Sequence, residues 1–491
     1  MLTRVRNLID ELNSSRVRYC HWKSNVSLGK ALSGLTDIDL LVHREDADLF
    51  RAILSRLCFR PAANEQGMWF PSMEHYYGLD DEHGVLVHVH AYFRVITGES
   101  LTKNYRLPLE EMLLQNTRDE DSVRVPLKCA ELVTFTLRMM LKHTSLVEIA
   151  LLSRDWEGMK QEIEWLCADD SGGSTVELVR LWLPSIDSVL FSECIDALRS
   201  PAALWRRVVL GLRLRRQVRV YAREPKIQRV MKGLGRFTFM LLGRLTGHRK
   251  RLTPVSGGAV IAFVAPEATG KSTLLGEVER WLGEHFAVDR IHAGKPRSTM
   301  LSIVPNLLVP ALRMLFPRER SSHVEAQTLA ESQSEQSQAT YPLLFAFRSV
   351  LLAYDRRALL KRAFARAANG SIVLCDRYPS SRPGAVDSAQ LSVAAAPRDK
   401  YPVRHLLSKI EERLYQEIPP PDLVLSLNVP VEVAILRNRN RGKKEPEDYV
   451  RRRHAMSSDS GFERAIFHRI NTDQPLDRTV LEVKRAVWNA L

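Results

Sequence analysis

The apolar positions change rhythm along the chain. Between Thr3 and Leu12 they recur at helical intervals, which predicts a helix. Val17 to Trp22 and Ile38 to Val42 read as strands, Glu45 to Leu57 as a helix, and Val85 to Ala91 as an alternating strand. From Cys129 to Ser200 the pattern is helical, with Leu132, Phe135, Leu137, Met140 and Leu141 as expected core. Thr253 to Gly258 supplies turn residues. Strands and helices then alternate: strand Ala259 to Val264, a helix from Lys271, strand Ile372 to Cys375 and strand Leu423 to Leu427. Such alternation predicts a parallel sheet joined by crossover helices. Ser321 to Thr340 is rich in Ser, Gln and Glu and reads as a mobile loop or lid piece.

A chain of 491 residues is too long for one compact core. The pattern divides it into an α+β domain over 1–125, a helical middle over 126–204, a basic amphipathic connector over 205–252 and an α/β domain over 253–491. Apolar residues at 45% and charged residues at 26% exclude collagen-like, coiled-coil and wholly disordered readings. The six cysteines include no C-x-x-C pair and the first fifteen residues lack a signal-peptide core, so a reducing cytoplasm is expected. No apolar run reaches the ~20 residues of a membrane span.

The net charge of +14 is concentrated. Arg206 to Arg251 holds 15 Lys and Arg against one acid, Glu224, leaving 56 against 56 elsewhere. These charges alternate with Trp205, Val209, Leu212 and other apolar residues. Two readings stay open: a helical connector with a solvated cationic face, or a surface for anionic lipid at the inner face of the membrane. Nucleic acid ranks last because no recognised nucleic-acid module accompanies the stretch.

The candidate chemistry centres on Ala265-Pro266-Glu267-Ala268-Thr269-Gly270-Lys271-Ser272-Thr273, which follows an apolar strand and opens a helix. This is the setting of a phosphate-binding loop. Its backbone N–H groups and helix N-terminus would cradle a polyphosphate, Lys271 would reach the β and γ oxygens, and Ser272 would ligate Mg²⁺. ATP and Mg²⁺ are thus the expected cofactors.

Further residues narrow the class. Ala353-Tyr354-Asp355-Arg356, Asp376-Arg377-Tyr378, Pro421-Asp422-Leu423-Val424-Leu425 through Pro430, and the arginines Arg437, Arg439 and Arg441 follow in order. With the acidic third loop position, Glu267, the region from Gly258 onward resembles the thymidylate kinase family of P-loop nucleoside monophosphate kinases. The resemblance implies that Arg377 holds the acceptor phosphate, with Tyr378 beside it. It also implies that Asp376 organises Mg²⁺, that Arg356 lines the acceptor site and Glu267 faces the acceptor sugar, and that Arg437 and Arg441 stabilise the transferred phosphoryl. Three departures concern the acceptor: Leu352 stands where the family has a stacking aromatic, Ser380 to Leu391 lacks its base-reading run, and His292-Ala293-Gly294-Lys295-Pro296 replaces R-E-P-G-G.

Near the start, Asp37-Ile38-Asp39 sets two carboxylates on one face of a strand, where they would share a metal. With Lys23-Ser24-Asn25 before it, the segment from Val17 to Gly98 resembles the nucleotidyltransferase fold. Val87-His88-Val89-His90 stands where that fold places a third carboxylate, so active nucleotidyl transfer and a degenerate binding domain both remain open.

The expected protein is multidomain: an N-terminal α+β nucleotidyltransferase-like domain, a helical middle and a C-terminal α/β P-loop NTPase. Its expected reaction is ATP-dependent phosphoryl transfer to a small-molecule acceptor, a nucleoside monophosphate or another phosphate- or hydroxyl-bearing metabolite. The alternative is an ATP-binding sensor or assembly factor with a degenerate kinase site. A homodimer is compatible with either.

Overall fold

In a computed structural model of the chain, the described residues are all except 65–69, 71, 100–101, 143–155, 169–172, 201–203, 226–227, 229–230, 233–234, 236–237, 239–251, 300–301, 304–340, 383–384, 386, 395, 441–444 and 457–460. The segment Ser321 to Thr340, Arg441 and the end of the basic stretch lie outside them. The chain divides into two compact units, Met1–Lys250 and Arg251–Leu491.

The first unit is built on a mixed sheet of β1 (Tyr19–His21), β2 (Ile38–Val42), β3 (Arg60–Asn64), β4 (Met73–Asp80) and β5 (Val85–Tyr92), in the order β1-β2-β5-β4-β3. Only β2 and β5 run parallel among these pairs. Helices α1 (Thr3–Ser14) and α2 (Ala47–Arg56) cover one face through Val5, Leu8, Ile9 and Leu12, and Phe50, Ile53 and Leu54. Strand alternation separates two cores. Ile38, Leu40, Val87, Val89 and Ala91 point to those helices, whereas Leu41 and Tyr92 join the opposite core. Asp37, Asp39, His88 and His90 occupy that second face, two residues apart in each case.

Helices α3 (Lys128–Lys142), α4 (Trp156–Cys167), α5 (Gly173–Trp182), α6 (Ser188–Arg199) and α7 (Leu204–Gln217) share the second core with Trp22, Leu41, Met73 and Tyr92. The helical middle therefore packs within the first unit. So does the beginning of the basic stretch, because Leu210, Leu214 and Val218 are buried in the same core.

The second unit carries a fully parallel sheet. Its strands are β6 (Val260–Val264), β7 (Val288–His292), β8 (Ile372–Asp376), β9 (Leu423–Asn428) and β10 (Ile466–Asn471), in the order β7-β8-β6-β9-β10. β6, β8 and β9 are almost continuously apolar and buried, as strands covered on both faces require. The helices are α8 (Lys271–Gly283), α9 (Leu343–Ala368), α10 (Pro402–Gln416), α11 (Val431–Arg439), α12 (Glu447–Ala455) and α13 (Leu476–Ala490). Trp281 of α8 meets Trp488 of α13 with ring centroids 6.5 Å apart. No helix among the described residues is long and apolar enough to cross a membrane. The six cysteines are free thiols.

Candidate functional site

The loop from β6 to α8 leaves the carboxyl end of a central strand. Gly270 caps α8 at φ 88°, a left-handed conformation that glycine adopts without strain, and Lys271 begins the helix. Ala268 also has a positive φ, 64°, and its methyl is buried with Val429, Ala434, Ile435 and Val450 near α11 and α12. Thr269 donates its hydroxyl to the Pro266 carbonyl at 3.1 Å, which tightens the turn. Ser272 and Thr273 are exposed on the first turn of α8.

Strand pairing sets the neighbours. Phe263 of β6 pairs with Asp376 of β8, and His292 of β7 also pairs with Asp376. The Asp376 carboxylate thereby lies beside the loop, where it accepts a hydrogen bond from the Lys271 ammonium. Burial lowers the His292 pKa more than Asp376 raises it.

Arg377 follows at φ 71°, its backbone N–H donating to the Phe263 carbonyl at 3.1 Å. Its guanidinium bridges Glu267 Oε1 at 3.0 Å and Asp387 Oδ2 at 3.2 Å. Burial works against the Arg377 charge, but Asp387 and Glu267 outweigh it and hold the pKa above its ordinary value. Gly294 leaves the room, since a Cβ there would stand 2.5 Å from Arg377 Cδ. The pocket around this guanidinium is lined by Ala265, Pro266, Tyr378, Ser380, Asp387, Arg453, Met456 and Phe462, among others. Tyr378 is buried and donates its hydroxyl to the Pro419 carbonyl at 2.6 Å, so it forms a wall and offers no free hydroxyl proton.

The structure separates the other expected residues. Arg356 is buried at 2% exposure and donates to the carbonyls of Ala293 (2.8 Å) and Asp387 (2.6 Å), to the Tyr415 hydroxyl and to the Asp387 carboxylate (3.2 Å). It braces the pocket from behind. Its neighbour Asp355 accepts from the Thr299 and Ser302 hydroxyls at 2.7 and 2.6 Å. Arg437 donates to the Thr472 carbonyl at 2.8 Å, and Arg439 pairs with Glu447. Among the described arginines of α11 and α12, Arg453 is the one that reaches the loop. Arg453 lies 3.6 Å from Glu267, with its Nε buried and without a hydrogen-bond partner among the described residues. His454 Nε2 donates to the Glu267 carbonyl at 2.9 Å. The run Arg451-Arg452-Arg453-His454 was the sequence signal for this cation.

In the first unit, Asp37 and Asp39 lie on one sheet face, each with a nitrogen partner. Asp39 Oδ1 is 2.8 Å from Lys23 Nζ and 3.3 Å from His90 Nδ1. Asp37 accepts from His88 Nδ1 at 2.7 Å. Lys23 also donates to the Tyr92 hydroxyl at 2.9 Å. Burial opposes the Asp39 charge, yet Lys23 and His90 outweigh it and hold the carboxyl well below its usual range. His75 stacks on His90 with centroids 4.3 Å apart and shares a hydrogen bond with His88 at 3.0 Å. Burial pushes His75 down to about 3 and His90 down to about 4, so both are neutral at pH 7. Among the described residues no group of three or more His, Cys, Asp or Glu side chains is arranged to hold a metal. Sequence reading missed Lys23 as the Asp39 counter-ion, His75, and Lys103, whose ammonium sits 5.2 Å over the Phe70 ring.

The parallel sheet and the strand-loop-helix turn ending at Lys271 define the P-loop α/β class. No family model matches the chain. The uncharacterized ATP-binding protein YghR of Escherichia coli K12 is 25% identical over 236 residues, 46% of this chain and 86% of that protein. Among solved structures, the chain is similar to the thymidylate kinase of Candida albicans at 14% identity and TM-score 0.28, over 48% of this chain and 92% of that one. It is also similar to TT1252 from Thermus thermophilus at 13% identity and TM-score 0.27, over 48% and 98%.

Proposed function

We propose that the second unit is an ATP- and Mg²⁺-dependent phosphotransferase acting on a small acceptor. The candidates are a nucleoside monophosphate, as in thymidylate kinases, and another phosphate- or hydroxyl-bearing metabolite. One observation carries this reading: Lys271 and Asp376 meet at the loop, and the next residue, Arg377, turns into a pocket shared with Glu267 and Arg453. The name of the Escherichia coli relative supports ATP as the donor.

Phosphoryl transfer needs positioning and charge stabilisation more than covalent help from the protein. In this reading the loop from Ala265 to Thr273 grips the polyphosphate through backbone N–H groups, and Lys271 leaves Asp376 to contact the β and γ oxygens. Magnesium, when bound, would be held by Ser272 and Asp376 and would neutralise phosphate charge. That donor set fits, because Mg²⁺ usually takes one or two protein oxygens and completes its shell with phosphate and water. Arg377 orients the acceptor, Glu267 accepts from its hydroxyl groups, and Arg453 brings positive charge from α12. Calorimetry with ATP and Mg²⁺, followed by ATP turnover against nucleoside monophosphates and sugar phosphates, tests this. Acceptor-dependent turnover is expected; tight ATP binding without it supports the sensor alternative.

A second reading concerns the first unit. The parallel β2-β5 pair brings Asp39 into register with His90, beside Lys23, which supports a nucleotidyltransferase-like domain that binds a nucleoside triphosphate. Metal-dependent release of pyrophosphate by the full chain tests it.

A further inference from the structure

We infer that α7 is an interfacial anchor that lays the protein on an anionic lipid bilayer. Its inner side is anchored in the first unit by buried Leu210, Leu214 and, just beyond, Val218. The opposite side is open: Trp205 is 77% exposed, Val209 48% and Leu212 49%. Steps of four and three residues place these three along one helical stripe. Arg206, Arg213 and Arg216 are exposed on or beside it, and the helix contains no acidic residue.

The combination selects the partner. A purely solvated cationic face would not place a tryptophan, a valine and a leucine in line with its arginines. A duplex would use the guanidinium groups but leave the apolar row in water. A bilayer surface satisfies both: the apolar stripe enters the headgroup-acyl boundary, the indole sits at the interface, and arginines reach the phosphates. With 14 residues the helix extends about 21 Å at 1.5 Å per residue, too short to span but sufficient to lie in the plane. The inference is independent of the chemistry proposed for either unit.

The test is co-sedimentation of the full chain with vesicles of phosphatidylcholine alone or mixed in equal parts with phosphatidylglycerol. Binding to the mixed vesicles is expected, weaker by about tenfold or more on phosphatidylcholine alone. Two double variants, Trp205→Ser with Leu212→Ser and Arg213→Glu with Arg216→Glu, should each weaken binding by about tenfold or more. All four side chains are exposed, and unchanged circular dichroism will establish that the fold survives. As a readout free of truncation, brominated lipid should quench the fluorescence of the wild type more than that of Trp205→Phe. Failure of the wild type to bind mixed vesicles would overturn the inference, as would binding of both double variants at the wild-type level. Duplex DNA binding that needs the arginines but ignores Trp205 and Leu212, with no vesicle binding, would overturn it in favour of a nucleic-acid surface.

Discussion

Replacing Arg356 with methionine keeps an unbranched stem of similar reach while deleting the guanidinium behind the pocket around Arg377. That group is buried at 2% exposure and serves the carbonyls of Ala293 and Asp387, the Tyr415 hydroxyl and the Asp387 carboxylate. In the variant the two carbonyls and the Tyr415 hydroxyl lose this donor, and the Asp387 carboxylate keeps, among the described residues, only Arg377. A hydrogen bond to a charged group contributes about 1.5–3 kcal/mol net, and breaking a buried ion pair by removing one partner costs about 3–5 kcal/mol. The contributions overlap because Asp387 appears twice, so the expected loss is about 3–5 kcal/mol rather than their sum. For a unit of this size each kcal/mol lowers Tm by about 2–4 °C, giving about 6–20 °C. Calorimetry of the full chain measures it, with hydrogen exchange in the Ile372–Asp376 strand identifying the transition that belongs to the second unit. Arg356→Lys should recover little, because one ammonium cannot replace a planar fork. A loss under about 1 kcal/mol, with the acceptor KM raised, would refute the bracing role and make Arg356 a substrate contact.

Lys271→Ala should lower ATP-dependent transfer by about a hundredfold or more with the fold retained; full activity in a phosphate-release assay would remove Lys271 from the chemistry. Asp37→Asn with Asp39→Asn should abolish any metal-dependent pyrophosphate release that the full chain shows from its first unit, and unchanged release would make both carboxylates bystanders. Burial and nearby Lys23 push Lys103 from its ordinary 10.5 down to about 7, so the unfolded chain holds the extra proton between those values and stability rises with pH across that window. Lys103→Met should flatten this rise in urea unfolding and stabilise the unit at pH 7 and below; an unchanged slope would contradict the assignment. Ala268→Gly should change stability by less than about 1 kcal/mol, since relief of the left-handed strain offsets the lost methyl burial, while amide exchange in Glu447–Ala455 accelerates; unchanged exchange would show that the methyl does not hold that helix.

Much of this was legible from local pattern. The strands at Ile38, Val85, Ala259, Ile372 and Leu423 and the helix from Lys271 were readable because each is an apolar run bounded by turn residues. β4 escaped because His75, Tyr76 and Tyr77 interrupt any alternation, although both of its faces meet side chains in the sheet. β7 and β10 are edge strands with polar, exposed positions, so no burial signal marks them. At the site, the loop and Asp376 were accessible to sequence because neighbours in the chain define them. The brace by Arg356, the Glu267-Arg453 contact and the Lys23-Asp39 pair were not, since the first two join residues separated by 31 to 186 positions and the third depends on the register of β1 against β2.

Backbone conformation gives an independent reason to place function at the loop. In the second unit the described non-glycine residues with positive φ are Ala268, Arg377 and Asp387, at 64°, 71° and 64°. Such conformations cost about 1–3 kcal/mol each and persist only where surrounding structure compensates. Here the compensation is visible: Ala268 buries its methyl against residues of α11 and α12, while Arg377 and Asp387 hold each other and Arg356 holds Asp387. The Ala268 methyl thus joins the turn before Lys271 to α12, the helix that carries Arg453, so a displacement of the turn would be transmitted to that arginine.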